Sequence, residues 1–278
     1  MRPPVILIGA HRSGTSATAH ALIDMGLFLG AHRMPLHDES YFFYRIQNDY
    51  LKSVGATWYE PQPFLDHIAT TEGREHCRRY LENHVKGPRG FSLRFYHKFG
   101  GWRYGPLMAL GRDIAWGWKD PRTTLFTPIW MELFPDAKVL HIVRHPLDIA
   151  LSLQSREMRK RSKREGRPFV EQMGDLDRCF YVAVKYVEQG CEMATLGERY
   201  REIRFEDIQD EPFKYLTELA DFCELSRAGV ERAAAEIDQD RRNRWQSLPE
   251  SEVARLMESY TLSDRFHYSA QPQAVGSR

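Results

Sequence analysis

Short apolar runs alternate with segments of helical periodicity along this chain, and that alternation predicts an α/β fold. The β-branched run Val5–Ile8 ends in glycine, and apolar residues then recur at helical spacing from Thr15 to Met25. Further buried strands are predicted at Ile114–Trp118, Lys138–Val143 and Arg201–Phe205. Strands that alternate with helices favour a three-layer fold around a central, mostly parallel sheet, whose strand-end loops share one edge. We expect a ligand site at that edge.

The remaining pattern predicts helices near 40–53 and 72–86 and glycine-rich loops at 87–90 and 100–101. The chain contains 278 residues, which is near the upper limit for one hydrophobic core. We therefore expect a single domain over residues 1–268, followed by a short polar tail, 269–278, that is disordered.

Charge and composition narrow the classes of function. The formal net charge is +1, so no global field attracts nucleic acid or an anionic membrane. A hydrophobic fraction of 42% is typical of a globular protein. Cys77, Cys179, Cys191 and Cys223 lack the spacing of a zinc site or redox pair, which predicts reduced, mostly buried thiols. The run before Gly9 is too short for a signal peptide, and we expect a cytoplasmic protein.

The segment between the first predicted strand and the first predicted helix has the spacing of a phosphate-binding loop. It reads Gly9-Ala-His-Arg-Ser-Gly-Thr-Ser16, and such a loop binds phosphate through backbone N–H groups and the helix dipole. Thr15 stands where a nucleoside triphosphatase carries lysine, and the loop's cation is Arg12. The predicted nucleotide contacts in this loop are His11, Arg12, Ser13, Gly14, Thr15 and Ser16.

At these residues the sequence resembles the P-loop-like sulfotransferases that use 3'-phosphoadenosine 5'-phosphosulfate (PAPS), and the resemblance continues downstream. The stretch from Lys138 to Ser152, KVLHIVRHPLDIALS, is similar to the family's 3'-phosphate segment. This implies that Arg144 and Ser152 bind the 3'-phosphate, although an ion pair between Arg144 and Asp148 is an alternative role for the arginine. The family usually carries an acid after this arginine, where His145 stands here.

Three shorter stretches agree with the resemblance. Trp116–Arg122 is similar to the family's strand that brings Lys and Arg to the site, and Ile203–Ile208 is similar to its late strand. Arg241 to Trp245 resembles the basic segment that closes over the nucleotide. The resemblance implies a P-loop NTPase-like sulfotransferase fold with further nucleotide contacts from Arg204, Arg244 and Trp245.

The resemblance also implies a reaction: transfer of a sulfuryl group from PAPS to a hydroxyl or amine, which releases adenosine 3',5'-bisphosphate and uses no metal. In-line transfer needs a cation on the leaving group and a base for the acceptor proton. We assign Arg12 to the leaving phosphate, Lys119 to the sulfate and Glu39 as the base, with His37 as the second candidate. The alternative role of Glu39 is that of a first-turn helix acid.

Two other functions stay open. One is an ATP-dependent P-loop phosphotransferase, against which Thr15 and the lack of a clear Walker B carboxylate count. The other is a non-enzymatic nucleotide- or RNA-binding protein using the basic clusters 156–167 and 241–244, against which the near-zero net charge counts. We expect the run 156–167 to be a solvated loop, or a lid that gathers an acidic acceptor.

The expected acceptor is a small molecule, a glycan or a lipid. We expect no nucleic-acid partner and no stable membrane insertion, and the oligomeric state is left open. The pocket walls that would choose among these acceptors fall in segments 54–113 and 156–200, which the resemblance does not cover.

Overall fold

A computed structural model describes residues 2–35, 37–87, 90–163, 170–238 and 243–258. The elements, in chain order, are β1 (Val5–Ile8), α1 (Thr15–Asp24), α2 (Tyr41–Ser53), α3 (Gln62–Ala69), α4 (Thr71–Val85), β2 (Lys86–Gly87), β3 (Gly90–Phe91), α5 (Leu93–Phe95), a π-helical turn (Tyr96–Gly100), α6 (Gly101–Ala109), β4 (Gly117–Lys119), α7 (Thr123–Leu133), β5 (Lys138–Val143), α8 (Pro146–Lys163), α9 (Leu176–Cys191), β6 (Tyr200–Arg204), α10 (Phe205–Asp210), α11 (Pro212–Phe222), α12 (Val230–Ala235) and α13 (Glu250–Glu258).

The central sheet has four parallel strands in the order β4-β1-β5-β6. Leu7 pairs with Lys119 on one side and with Leu140 on the other, so the ends of the three strands lie level. The predicted α/β fold is therefore confirmed. Two strands are displaced from their predicted positions: β4 starts at Gly117 rather than 114, and β6 ends before Phe205, which begins α10.

Helices cover both faces of the sheet. Along β1, Ile6 and Ile8 face a core shared with α2, α3, α4, α7 and α9, whereas Val5 and Leu7 face a second core shared with α1, α11 and α12. Successive side chains of a strand point to opposite faces, and a strand covered on both sides is apolar throughout. This is the reason that Val5–Ile8 reads as an unbroken apolar run.

An aromatic stack joins α2 to β4 and thereby positions the segment before α2. The rings of Phe43 and Trp118 are stacked, with centroids 4.0 Å apart, and Trp130 lies edge-on to Phe43 at 5.2 Å. Just before the helix, the backbone N–H of Ser40 donates to the carbonyl of Lys119 at 3.0 Å. The start of α2 is therefore fixed against the carboxyl end of β4.

The segment predicted as a loop at Gly100-Gly101 is helical. A π-helical turn, Tyr96–Gly100, leads directly into α6. A Cβ at Gly100 would lie 2.6 Å from the backbone of Gly105, and one at Gly101 would lie 2.6 Å from the Ala31 side chain. The prediction was wrong because Gly101, with φ 65°, joins two helical segments with no loop between them, and both glycines permit close packing. Of the predicted loop 87–90, Gly87 and Gly90 pair in a hairpin, and residues 88–89 lie outside the described residues.

The first part of the basic run 156–167 is also helical rather than a loop, because α8 continues to Lys163. Residues 164–167 lie outside the described residues. Arginine and lysine are good helix formers. The buried Glu157 accepts from Arg156 at 3.0 Å and from Lys160 at 2.8 Å, and both contacts lie within α8 itself.

The four cysteines are free and buried, as predicted. Burial raises the pKa of the Cys77 thiol to about 12. The predicted tail, 269–278, lies outside the described residues. In the part of the chain that the structure describes, no helix combines the length and the apolar character that crossing a bilayer requires.

Gly117 provides a test of the β1–β4 contact, because a Cβ there would lie 1.9 Å from the carbonyl oxygen of Val5. We expect Gly117→Ala to lower the free energy of unfolding by about 3 kcal/mol, since the two strands must separate. As a control, Gly26→Ala adds a Cβ in open space at φ 101° and should cost only about 1 kcal/mol. Urea unfolding measures both, and equal losses would contradict the close strand contact.

Candidate nucleotide and transfer site

The loop between β1 and α1 follows a path that only glycine permits at two positions. Gly9 has φ 144° and Gly14 has φ 97°. A Cβ at Gly9 would lie 2.4 Å from the carbonyl oxygen of Ile142, and one at Gly14 would lie 2.1 Å from the Phe205 ring. Arg12 also has a positive φ, 73°, which is unusual for a residue with a side chain. Gly14 caps α1, whose first-turn N–H groups have no intrahelical acceptor.

The loop forms one wall of a cavity of about 270 Å³, which we call the loop cavity. Its position at the carboxyl ends of the parallel strands is the one expected from the sequence. It brings together many of the predicted site residues, namely His11, Arg12, Gly14, Thr15, Ser16, His37, Glu39, Lys119 and Arg144.

A second cavity, of about 470 Å³, adjoins the first, and we call it the basic cavity. Arg12 and Arg144 line both cavities. The Nε of Arg12 donates to the Oγ of Ser152 at 2.9 Å, and an Nη of Arg144 donates to the Arg12 carbonyl at 3.3 Å. The basic cavity is lined by Arg12, Arg144, Asp148, Ser152, Ser155, Arg159 and Arg244.

Lys119 lies at the end of β4 and is almost completely buried beside the loop. Its Nζ donates to the Ser16 hydroxyl at 3.1 Å and to the His37 carbonyl at 2.8 Å, and it lies 3.6 Å from a carboxylate oxygen of Glu39. Burial lowers the pKa of Lys119, while Glu39 opposes that shift. The ammonium group thus stands next to a loop hydroxyl, although Thr15 occupies the usual lysine position in the sequence.

Arg122 supplies a second cation near Glu39, at 3.7 Å from its carboxylate. Asp120 accepts from the Arg122 guanidinium at 3.0 Å and from its backbone N–H at 2.7 Å. Burial raises the pKa of Asp120 to about 6, against the attraction of Arg122. Asp120 therefore pairs with a nearby arginine and organises this edge of the site.

The comparisons with known proteins identify the family of this chain. A sequence profile described as "Sulfotransferase family" matches residues 3–229. The chain belongs to the sulfotransferase family. No curated protein matches the sequence significantly.

Solved structures with the same fold include other sulfotransferases. The sulfotransferase domain of the Synechococcus PCC 7002 olefin synthase is 15% identical with a TM-score of 0.52, over 98% of this chain and 96% of that one. A sulfotransferase domain from the curacin biosynthetic pathway has the same identity and TM-score, over 95% of this chain and 99% of that one. A sulfotransferase from Alicyclobacillus acidocaldarius is 17% identical with a TM-score of 0.46, over 93% of this chain and 96% of that one. At these identities, the two domains with a TM-score of 0.52 show a likeness of fold alone.

Two histidines of this sulfotransferase line the loop cavity. His11 is buried with its ring edge-on to Trp58 at 4.7 Å, and burial lowers its pKa well below the ordinary value. His37 is half-buried, and burial lowers its pKa as well, although Glu39 opposes the shift. The lowered pKa keeps each imidazole neutral but makes it a weaker proton acceptor, and the effect is larger for the buried His11 than for His37.

His145, which stands where the family usually has an acid, caps helix α8. Its Nδ1 accepts the backbone N–H of Leu147 at 3.2 Å, and its ring stacks on Trp245 with centroids 4.4 Å apart. The backbone N–H of His145 donates to the buried Glu206 carboxylate at 2.8 Å. Burial, followed by repulsion from Arg204 and Arg144, lowers the pKa of His145 to about 3. A neutral imidazole thus provides the acceptor that an acid at this position would provide.

Three predicted contacts do not line either cavity. Ser13 is fully buried in the loop, and its N–H donates to the Ala10 carbonyl. Trp245 is buried against His145, and its backbone N–H donates to the Asp148 carboxylate at 2.9 Å. Arg204 lies near His145 rather than in a cavity wall. Among the basic segment's other members, Arg241 and Arg242 lie outside the described residues, whereas Arg244 lines the basic cavity.

The structure adds residues that sequence reasoning did not assign to the site. Asp148 pairs with Arg144 at 3.2 Å, and both residues line the basic cavity. The ion pair that was the alternative role of Arg144 is therefore compatible with its place in the cavity wall. Arg159 lies two helical turns beyond Ser152, a spacing of seven that could have indicated the shared face. Other additions are Ser155, Arg156, Phe205 and Gln209.

The His145 cap predicts a specific pH dependence. The folded-state pKa, about 3, lies below the ordinary value of 6.5, so the folded protein resists protonation. The stabilisation is complete above a pH of about 6.5 and is lost as the pH falls towards 3. We expect His145→Asn, which keeps an acceptor, to lose less stability than the wild type between about pH 7 and pH 5. Urea unfolding at several pH values measures this, and identical profiles would contradict the buried neutral cap.

Proposed function

We propose that this sulfotransferase transfers a sulfuryl group from PAPS to a hydroxyl or amine acceptor and releases adenosine 3',5'-bisphosphate. The observation that supports the proposal is the pair of adjoining cavities that share Arg12 and Arg144. One cavity lies at a loop and helix N-terminus suited to a 5'-phosphosulfate. The other contains several arginines and Ser152, which suit a 3'-phosphate monoester.

In the loop cavity, backbone N–H groups of the first turn of α1 and the hydroxyls of Thr15 and Ser16 would hold the 5'-phosphate. Lys119 donates to Ser16 and would meet the sulfate oxygens beside it. Arg12 borders both cavities and contacts Ser152, so its guanidinium can neutralise charge between the two phosphates. Preorganised donors of this kind contribute about 2.7–4 kcal/mol each to transition-state stabilisation. These cations supply charge stabilisation without a metal.

Glu39 is the proposed base. Its carboxylate lines the loop cavity and lies 3.6 Å from the Lys119 ammonium, so an acceptor hydroxyl near the sulfate would also be near Glu39. The Ser40–Lys119 hydrogen bond holds this segment in place. His37 lines the same cavity and remains the second candidate.

The acceptor class stays broad: a small molecule, a glycan or a lipid that carries a hydroxyl or amine. We propose a cytoplasmic location, which the four buried cysteines support because they form no disulfide, and thiols persist in a reducing compartment.

The 3'-phosphate assignment predicts a loss of nucleotide discrimination in Arg144→Ala. The wild type should bind adenosine 3',5'-bisphosphate about 10- to 100-fold more tightly than adenosine 5'-phosphate, since charged hydrogen bonds contribute about 1.5–3 kcal/mol. Arg144→Ala and Ser152→Ala should narrow that ratio, whereas Arg227→Ala, which removes an exposed arginine on a distant ion pair, should not. Isothermal titration measures the ratio. Unchanged discrimination in Arg144→Ala, or binding of ATP-Mg alone by the wild type, would overturn the assignment.

The assignment of Glu39 predicts that binding and turnover separate in Glu39→Gln. The amide keeps the size of the side chain but cannot accept the acceptor's proton, so kcat should fall by about 10²–10⁴. Binding of adenosine 3',5'-bisphosphate should change little. The rate of sulfuryl transfer from PAPS to a hydroxyl acceptor gives kcat. Isothermal titration with adenosine 3',5'-bisphosphate gives the nucleotide affinity. Full turnover in Glu39→Gln together with its loss in His37→Ala would transfer the role to His37.

A further inference from the structure

Helix α6 exposes large apolar side chains on its outward face. Trp102 is 90% exposed, Leu110 at the helix end is 74% exposed, and Leu107 is 39% exposed. Gly105 and Met108 are buried, so the opposite side of the helix packs against the protein. Exposed tryptophan and leucine side chains in one place are unfavourable in water and mark contact surfaces. We call Trp102, Leu107 and Leu110 the α6 patch.

The chain around the α6 patch is basic. From residue 83 to residue 112 the sequence contains no aspartate or glutamate. The net charge of the whole chain is only +1, so this excess of positive charge is local. The exposed basic residues of the described part of this segment include Arg94, Lys98, Arg103 and Arg112.

A cavity of about 350 Å³ opens beside the patch, and Trp102, Arg103 and Arg33 line it. The chain segment that lines this cavity is followed in sequence by a residue of the loop cavity. Ala31 donates to the Phe99 carbonyl at 2.7 Å, Arg33 pairs with Asp38 at 2.8 Å, and the loop-cavity residue Glu39 follows. Ala31 and Arg33 therefore lie at the cavity beside the α6 patch, and Glu39, a few residues later in the chain, lines the loop cavity.

We propose that the α6 face docks on an anionic lipid bilayer, with Trp102 and Leu110 entering the headgroup region. A helix with apolar and aromatic residues on its exposed face and basic residues around them has the composition of an interfacial helix. Lysine and arginine side chains near an anionic lipid surface add electrostatic attraction. The charge complementarity therefore favours anionic lipid as the occupant, and the docking is peripheral.

A second copy of the chain fits the face less well. Two copies of the same acid-free segment would bring like charges together. A stable dimer buries about 800 Å² per partner, and the three side chains of the α6 patch supply only part of that area. The bilayer needs no such area, because insertion of a few side chains and electrostatic attraction act together.

The test is co-sedimentation of the full chain, without nucleotide, with vesicles of phosphatidylcholine alone or mixed with phosphatidylglycerol. We expect binding to the mixed vesicles that weakens with added salt. Trp102→Ala combined with Leu110→Ser should weaken it tenfold or more, and Arg103→Glu should weaken it as well. Phe213→Ala, which removes an exposed ring from α11, is the matched control and should bind like the wild type.

Several results would overturn the docking proposal. They are absence of wild-type binding to mixed vesicles, an equal loss in Phe213→Ala, and no loss in the Trp102/Leu110 variant. A wild-type dimer that the same variant converts to a monomer would assign the face to a second copy instead. The substituted side chains are exposed, so thermal unfolding should stay unchanged and verify that the variants fold. Because the vesicle experiment contains no nucleotide, absence of vesicle binding would not contradict the proposed sulfuryl transfer. Absence of sulfuryl transfer would likewise not contradict vesicle binding.

Discussion

The close contact of the β1–α1 loop with its neighbours is the constraint on which the candidate site depends. There is no room for a Cβ at Gly9 against the carbonyl of Ile142, or at Gly14 against the ring of Phe205. The loop is thereby held between the end of β5 and the start of α10. The same Phe205 ring lies 5.8 Å from the Arg144 guanidinium, so one contact region joins the phosphate loop to the basic cavity.

Buried charge is the second determinant of the site. Lys119 and Arg122 lie within 4 Å of Glu39, and Asp120 pairs with Arg122. Removing these groups from water is costly unless they are paired, and the aromatic stack between α2 and β4 supplies the rigid support that keeps them together. His145 shows the same principle with different chemistry, because a neutral imidazole serves as the helix cap where the family usually has an acid.

The parts of the fold that were predictable are those with strong local signals. β1 is an unbroken apolar run and β5 is a mostly apolar one, and both occur at the predicted residues. The helical α6 was missed because its glycines serve tertiary packing against Ala31 and within the helix, which no local pattern reveals. The helical part of the basic run was missed because its dense charge was taken as the mark of a solvated loop, although arginine and lysine are good helix formers.

The sequence by itself determined the parallel sheet, the glycine-containing loop between β1 and α1 and the family resemblance, since apolar runs, glycines and strand ends act through local chemistry. Only the tertiary structure decided which side chains meet across the sheet edge. It placed Lys119 beside Ser16, Arg12 on Ser152 and Trp245 against His145 rather than in a cavity wall. Those contacts join residues that are far apart in the chain, and their geometry depends on strand order and packing, which local residue patterns do not specify.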